Sequence, residues 1–199
     1  MLLVEGDPVP SSYSDMVIIM EIGDIKRSKN WGEYKLVARS GSGRKRRYTV
    51  EFLETGYSIE VNESTFYSGE IKDRFSPSVF GKGYLGTTNI SNKSPLYSIW
   101  SSMLYMCYGN KCKSFRYRGS VGYSVSERWL NLTNFVEDIK LIEGYDYELL
   151  RRNKLYLTIK EGEKVFSVDN CLLDRKLPVG GYKALQRYRE SISRARVEA

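Results

Sequence analysis

The chain has 199 residues and a net charge of +7, from 31 Lys plus Arg against 24 Asp plus Glu. Hydrophobic residues make up 41% and aromatic residues 13% of it, which excludes a disordered polar tail and predicts one or two small folded domains. Because it has no histidine and three cysteines, neither a zinc site nor any other cofactor is expected, and a reducing compartment fits better than a disulfide framework. No apolar run reaches the roughly 18 residues of a membrane span, and no signal peptide or membrane partner is expected.

The first 70 residues predict an extended arm followed by a small β domain. Pro8 and Pro10 indicate the arm, over residues 1–14. Within 15–70, short apolar or alternating runs predict strands, and Gly-containing turns separate the later ones. The predicted strands are 16–22, 33–39, 47–53 and 57–61. Their number and length favour a small curled sheet or barrel, of the Tudor or KOW kind.

The first predicted hairpin carries a basic tip. Four consecutive cations stand there: Arg44, Lys45, Arg46 and Arg47. Such a run is suited to contacts with nucleic-acid phosphates, each of which adds to a salt-sensitive affinity. It equally suits a solvated tip that prevents pairing between sheet edges. The sequence leaves both interpretations open.

Residues 71–93 are rich in Gly, Ser, Pro and Asn and predict a well-packed irregular linker. Gly81, Gly83 and Gly86 have a spacing similar to that of a phosphate-binding loop. No strand-to-helix transition follows Gly86 at the required distance, so the packed linker is favoured.

Two amphipathic helices are predicted at the centre of the chain. Ser94-Pro95 is a strong helix start, and apolar residues at helical spacing follow until Gly109. A second apolar stripe runs over 129–139, after a capping-box spacing from Ser124 to Glu127. Trp100 and Trp129 lie in register with these stripes and are predicted to be core residues that hold the two helices together.

The loop between the two helices is basic and aromatic. It carries four cations, no acid and two interleaved aromatic residues between positions 111 and 118. These residues are Lys111, Lys113, Phe115, Arg116, Tyr117 and Arg118. The cations suit phosphate contacts, and an aromatic ring suits stacking on a base, so the loop is a candidate nucleic-acid contact.

The remaining chain predicts two strands joined by a turn, and then two helices. Alternation over 155–159 indicates a strand, Val165-Phe166 opens another, and Ser167 is predicted to cap a short helix through Asn170 and Leu173. After the Pro-Gly break at 178–181, a basic amphipathic helix is predicted within 178–199. That helix suits binding to nucleic acid or a partner, and equally suits packing against its own domain.

An ordered set of motifs resembles the pattern of phage-encoded HNH homing-endonuclease-like proteins. The central motifs are Trp100-x-x-Met103-x-x-x-Cys107-Tyr108, Tyr117-x-Gly119, Val125-x-x-x-Trp129, Phe135-x-x-Asp138 and Val165-Phe166-Ser167-x-x-Asn170-Cys171. The upstream motifs are Phe52-Leu53-x-Thr55-Gly56-Tyr57, Gly69-x-Ile71-Lys72-Asp73 and Pro77-Ser78-Val79-x-Gly81-x-Gly83-Tyr84-Leu85-Gly86. The resemblance covers roughly residues 45–173 and implies an HNH-endonuclease-like α+β domain over 94–177, with a ββα-metal element near its end.

The chain departs from that family at its chemistry. The ββα-metal element needs a His base and an acidic or His metal ligand, and this chain has no histidine. Asn170 matches the motif, and an Asn after a capping Ser also has a plain structural role. The resemblance therefore implies a degenerate domain with no catalytic or metal residues, in the host cytoplasm or the virion.

Three functions follow from this reading of an α+β protein. The first is a catalytically inactive phage protein that binds double-stranded DNA through the basic hairpin and the basic loop. The second is the same fold recruited as a structural part of the virion, in a head or tail assembly, where the arm and the C-terminal helix contact other virion proteins. The third is an active metal-dependent DNA endonuclease.

Overall fold

A computed structural model describes residues 20–111 and 113–175. The chain divides after Asp73 into two compact units. Both helices and strands are present, which confirms the predicted α+β class. Within the described residues, no helix has the length and apolar character needed to cross a membrane.

The first unit is built on a four-stranded antiparallel sheet in the order β1-β2-β3-β4. The strands are β1 (Ile25–Arg27), β2 (Glu33–Ser40), β3 (Arg47–Phe52) and β4 (Ser58–Asn62). The predicted strands at 33–39, 47–53 and 57–61 are confirmed to within one residue at each end. The predicted strand at 16–22 is not: 16–19 lie outside the described residues, 20–22 form no strand, and β1 begins at Ile25.

Alternation along the strands buries one face of this sheet. Tyr34 and Leu36 of β2 and Tyr48, Val50 and Phe52 of β3 are buried. Helix α1 (Glu63–Ser68) covers them with Phe66, whose ring stacks on that of Tyr48 at 4.3 Å between centroids. Asn62 caps α1 by accepting from the Thr65 N–H at 2.8 Å. Because β1 and β4 do not pair with each other, the described strands form an open sheet rather than a barrel.

The second unit is organised around α2 (Pro95–Tyr108). Ser94 is its N-cap, as predicted, and accepts from the Leu96 N–H at 3.3 Å. The apolar stripe of α2 is buried: Leu96, Trp100, Met103, Leu104 and Cys107. Part of the predicted linker, including Val79, Tyr84, Leu85 and Ile90, packs against the same core.

The second predicted helix is broken in two. Ser124 and Val125 form a short strand, β5, so Ser126 rather than Ser124 precedes the helix. Helix α3 (Glu127–Leu130) ends at Asn131, which caps α4 (Leu132–Asp138) by accepting from the Thr133 N–H at 2.9 Å. Most apolar residues of the stripe are still buried in the core, namely Trp129, Leu132, Phe135 and Ile139, and Val136 is half-buried against it.

The end of the described chain corrects the predicted strand–loop–helix. A short helix α5 (Tyr147–Arg151) precedes β6 (Leu155–Ile159), and β7 (Val165–Phe166) pairs in parallel with β5. The helix predicted through Asn170 and Leu173 is wrong: Cys171–Arg175 forms β8, antiparallel to β6. Burial of Cys171 and Leu173 at alternate positions explains why a strand forms there.

The N-terminal arm at 1–14 and the basic helix at 178–199 lie outside the described residues.

Candidate nucleic-acid interface

The basic loop between α2 and β5 is folded rather than extended. Residues Lys113–Tyr117 form a 3-10 helix, and a second one follows at Gly119–Val121. Gly119 brings this segment against the end of α2: a Cβ there would lie 2.2 Å from the Cys107 carbonyl oxygen and 2.3 Å from the Phe115 ring. Only a glycine fits this approach, so the loop has a defined place beside α2.

The cations of the loop face solvent. Lys111, Lys113 and Arg116 are exposed, and none of them forms an ion pair with a described residue. The Ser120 hydroxyl donates to the Arg116 carbonyl oxygen at 2.8 Å and braces the turn that carries them. The positive charges of the loop repel one another and are not neutralised by a described acidic residue. An anionic partner would relieve this repulsion, so the loop is suited to binding one.

The two aromatic residues of the loop have different environments. Tyr117 is 76% exposed. Phe115 is half-buried against Gly119 and helps to position the loop. The sequence analysis left both rings as candidates for contact with a base. The greater exposure of Tyr117 favours Tyr117.

Arg118 is the inner cation of the loop. It is half-buried, and its guanidinium lies over the Tyr123 ring at 4.8 Å from the centroid. Its carbonyl oxygen accepts from the N–H groups of Val121 and Tyr123, at 3.1 and 3.0 Å. No described carboxylate pairs with it. Arg118 is therefore fixed in place while its charge stays available.

The basic hairpin tip of the first unit is a short 3-10 helix, Gly43–Lys45, and β3 begins one residue later, after Arg46. Arg44 and Lys45 are exposed and have no ion pair within the described ranges. Arg46 instead pairs with Glu63 at 2.8 Å, and Arg47 is half-buried with its guanidinium on the Arg46 carbonyl oxygen at 3.2 Å. Two of the four cations are thus already engaged within the protein.

Glu63 is the residue of this surface that the sequence did not single out. Its carboxylate accepts from Arg46 and from the Tyr48 hydroxyl, the latter at 3.1 Å. The pKa of Arg46 is raised, first by its hydrogen bond with Tyr48 and then by the bond with Glu63. The sequence gives little indication that Glu63 is a partner of Arg46, because only the pairing of β3 with β4 brings the start of α1 next to Arg46.

In the segment for which a ββα-metal element was expected, Asn170 forms two hydrogen bonds within the same segment. The Asn170 side chain donates to the Val165 carbonyl oxygen at 3.1 Å, and the Asn170 N–H donates to the Ser167 hydroxyl oxygen at 3.3 Å. Asn170 thus stabilises a turn. Across residues 20–111 and 113–175, no three His, Cys, Asp or Glu side chains cluster as metal ligands would.

Two buried thiols lie in the core of this unit. Burial raises the pKa of Cys107 to about 11 and that of Cys171 to about 11. Both are therefore neutral thiols near pH 7, unlike the thiolates that bind metals or act as nucleophiles. Cys112 lies outside the described residues.

Comparison with protein-family models, with curated proteins and with solved structures finds no match to this chain.

Proposed function

We propose that this chain is a DNA-binding protein without nuclease activity, and that the basic loop, Lys111–Arg118, is its principal contact. The observation that carries the proposal is the state of the loop cations. Lys111, Lys113 and Arg116 are exposed with no ion-pair partner among the described residues, on a segment that Gly119 holds against α2.

Such a loop binds duplex DNA through its phosphates. Each phosphate that a cation neutralises releases condensed counterions, which drives binding and makes it weaken as salt rises. Tyr117 stands among the cations with most of its surface exposed, which suits contact with a sugar or a base. Phosphate contacts carry no sequence information, so broad specificity is expected.

The hairpin tip is a second and weaker contact. Arg44 and Lys45 are available to phosphates, whereas Arg46 must first leave Glu63. Exchanging one ion pair for another adds little affinity, so we assign the DNA contacts of this tip to Arg44 and Lys45.

The absence of nuclease activity rests on the residues that hydrolysis requires. Phosphodiester cleavage of the HNH kind uses a histidine base beside a metal ion, and this chain contains no histidine. The phage origin implied by the resemblance remains an expectation, and the DNA-binding proposal does not depend on it.

The virion alternative rests on the arm at 1–14 and the helix at 178–199, both outside the described residues. No feature of the described residues favours it over DNA binding.

Duplex binding measured across a salt series tests the proposal. The test variant replaces Lys111, Lys113 and Arg116 by Gln. Its matched control replaces Lys93, Lys140 and Lys154, which are exposed elsewhere in the same unit, and makes the same change in net charge. We expect the loop variant to bind more weakly and to flatten the slope of log affinity against log salt by about 0.9 for each lost phosphate contact.

The control variant should keep most of the affinity and slope of the parent. Equal losses in the two variants would mean that overall charge, rather than the loop, determines binding. Absence of salt-dependent binding by the parent chain would overturn the proposal.

A further inference from the structure

A groove of about 280 Å³ lies in the second unit between α2 and β6. One wall is a helical stripe of α2 that includes Ile99, Met103 and Met106, and the other is formed by β6 from Leu155 onward. Pockets that take small organic ligands usually measure roughly 300–1,000 Å³. The groove therefore suits a single monomer-sized group rather than a longer segment.

The charge in the groove has one sign. Of the described residues that line it, Arg118 is the only charged one, and none is acidic. Arg118 is held over Tyr123 and has no carboxylate partner within the described ranges. A groove whose surface is mostly apolar, with one available guanidinium, is complementary to a ligand that has an apolar body and a single anionic group.

The strand wall also offers main-chain hydrogen-bonding groups. The Lys160 N–H donates to the Asn170 carbonyl oxygen at 2.8 Å, and bonded and non-bonded pairs alternate along an antiparallel ladder. Leu157, opposite Leu173, is therefore in a non-bonded pair, and its N–H and C=O point away from β8. The Leu173 N–H also points away from β6, since it donates to the Glu143 carbonyl oxygen at 2.8 Å, which agrees with a non-bonded Leu157–Leu173 pair.

The outward groups of β6 meet no described strand, because β8 is its only described neighbour. Leu155 and Leu157 both line the groove. An N–H and a C=O side by side at a strand edge match the donor and acceptor groups on the edge of a nucleobase.

We propose that this groove receives the base of one unstacked nucleotide, with Arg118 at its phosphate. The inference rests on the proposed function, since Arg118 belongs to the basic loop and places the groove at the end of that surface. The base would lie between the apolar side chains of α2 and the edge of β6. Single-stranded DNA is then the preferred ligand, because its bases are free to unstack.

Ser102 allows a direct test. It is exposed on α2 and lines the groove, so Ser102→Trp should occupy the space without disturbing the core, whereas Ser102→Ala leaves the space open. Binding is measured by fluorescence anisotropy with a labelled single strand and with the duplex of the same sequence, after thermal melting has shown that both variants are folded.

We expect the parent chain and Ser102→Ala to prefer the single strand. Ser102→Trp should lose about tenfold in affinity for the single strand, the size of one lost base contact, and should bind the duplex unchanged. If the folded Ser102→Trp variant binds the single strand as Ser102→Ala does, the groove is not a nucleotide site, although DNA binding by the loop would still stand.

Arg118→Gln and Arg116→Gln form a matched pair, since Arg116 is an exposed loop cation that does not line the groove. Arg118→Gln should reduce single-strand affinity more than Arg116→Gln, and the two should reduce duplex affinity alike. Equal effects on both ligands would contradict a role for Arg118 at the groove.

Binding of a deoxynucleoside monophosphate is compared with binding of inorganic phosphate. The comparison shows whether the groove binds a whole nucleotide or only a phosphate group. Nucleotide binding that Ser102→Trp removes, without binding of phosphate alone, would support the groove as a nucleotide site even if no oligonucleotide binds and the proposed function fails. A chain that binds neither the single strand nor the mononucleotide would overturn the inference.

Discussion

The indole N–H of Trp100 donates to the main-chain carbonyl oxygen of Trp129 at 2.7 Å. The indole N–H of Trp129 donates in turn to Asp138 at 3.0 Å. Both indoles are almost fully buried, so each hydrogen bond satisfies a donor that water cannot reach. This chain of bonds joins α2 to α3 and α4, and it places the two tryptophans in the core, as the sequence predicted.

Truncation of either tryptophan should destabilise the second unit severely. Trp100→Ala or Trp129→Ala removes a large buried side chain, and such changes cost about 3–5 kcal/mol in the free energy of unfolding. Trp100→Phe keeps much of the packing but leaves the Trp129 carbonyl oxygen without its donor, at a cost of about 1–3 kcal/mol. Urea denaturation measures both effects.

The control for these variants is Tyr117→Ala, at an exposed ring, which should change stability by less than about 0.5 kcal/mol. A Trp100→Ala protein that is as stable as the parent but no longer binds DNA would show that Trp100 is a recognition residue rather than part of the core.

Asp138 should make stability depend on pH. The Arg128 guanidinium, bonded to it at 2.7 and 2.9 Å, lowers the pKa of this carboxyl below its ordinary value of 3.8, and this effect outweighs the opposing one of burial. A carboxyl whose pKa is lower in the folded state than in the unfolded state stabilises the fold. This contribution is complete at pH values above the ordinary carboxyl pKa, and it is lost as the pH falls through the folded-state pKa.

Asp138→Asn should therefore be less stable than the parent by about 1.5–3 kcal/mol at pH 7, the contribution of hydrogen bonds to a charged group. The difference should shrink as the pH falls below the ordinary carboxyl value. Urea denaturation at several pH values checks this, and a difference that stays constant down to strongly acidic pH would argue against the ionised Arg128–Asp138 pair.

The hairpin tip should respond unequally to neutralisation. Changing Arg44, Lys45, Arg46 and Arg47 to Gln together should weaken duplex binding across sequences and flatten its salt dependence, without unfolding the sheet. The double change at Arg44 and Lys45 should account for most of that loss, because Arg46 is already paired with Glu63. Unchanged binding in the fourfold variant would make the tip a solvated surface.

The chain should not cleave DNA. Because it has no histidine and Asn170 stabilises a turn, we expect intact supercoiled plasmid after incubation with magnesium or manganese. Gel electrophoresis of the plasmid checks this. Asp169, the carboxylate next to Asn170, is the nearest acidic side chain in the sequence. Metal-dependent nicking that disappears in Asn170→Ala or Asp169→Ala would show that a nuclease site exists in spite of the missing base.

Local sequence patterns predicted much of the fold. Alternation of apolar residues predicted β2, β3 and β4, and Ser94-Pro95 predicted the start of α2. The burial of Trp100 and Trp129 followed from their register within apolar stripes. These features depend on the periodicity of a strand or helix and on the first turn of a helix, both of which are properties of a few neighbouring residues.

Contacts between distant residues decided the rest. Cys171 and Leu173 form a strand because β6 pairs with them, although Ser167 resembles a helix cap. The sequence alone could not show that Arg46 is paired with Glu63 or that Arg118 has no described carboxylate partner, because these depend on which residues the fold brings together. The number of cations in each basic segment was therefore determined by the sequence, whereas their availability to a ligand was determined by the tertiary structure.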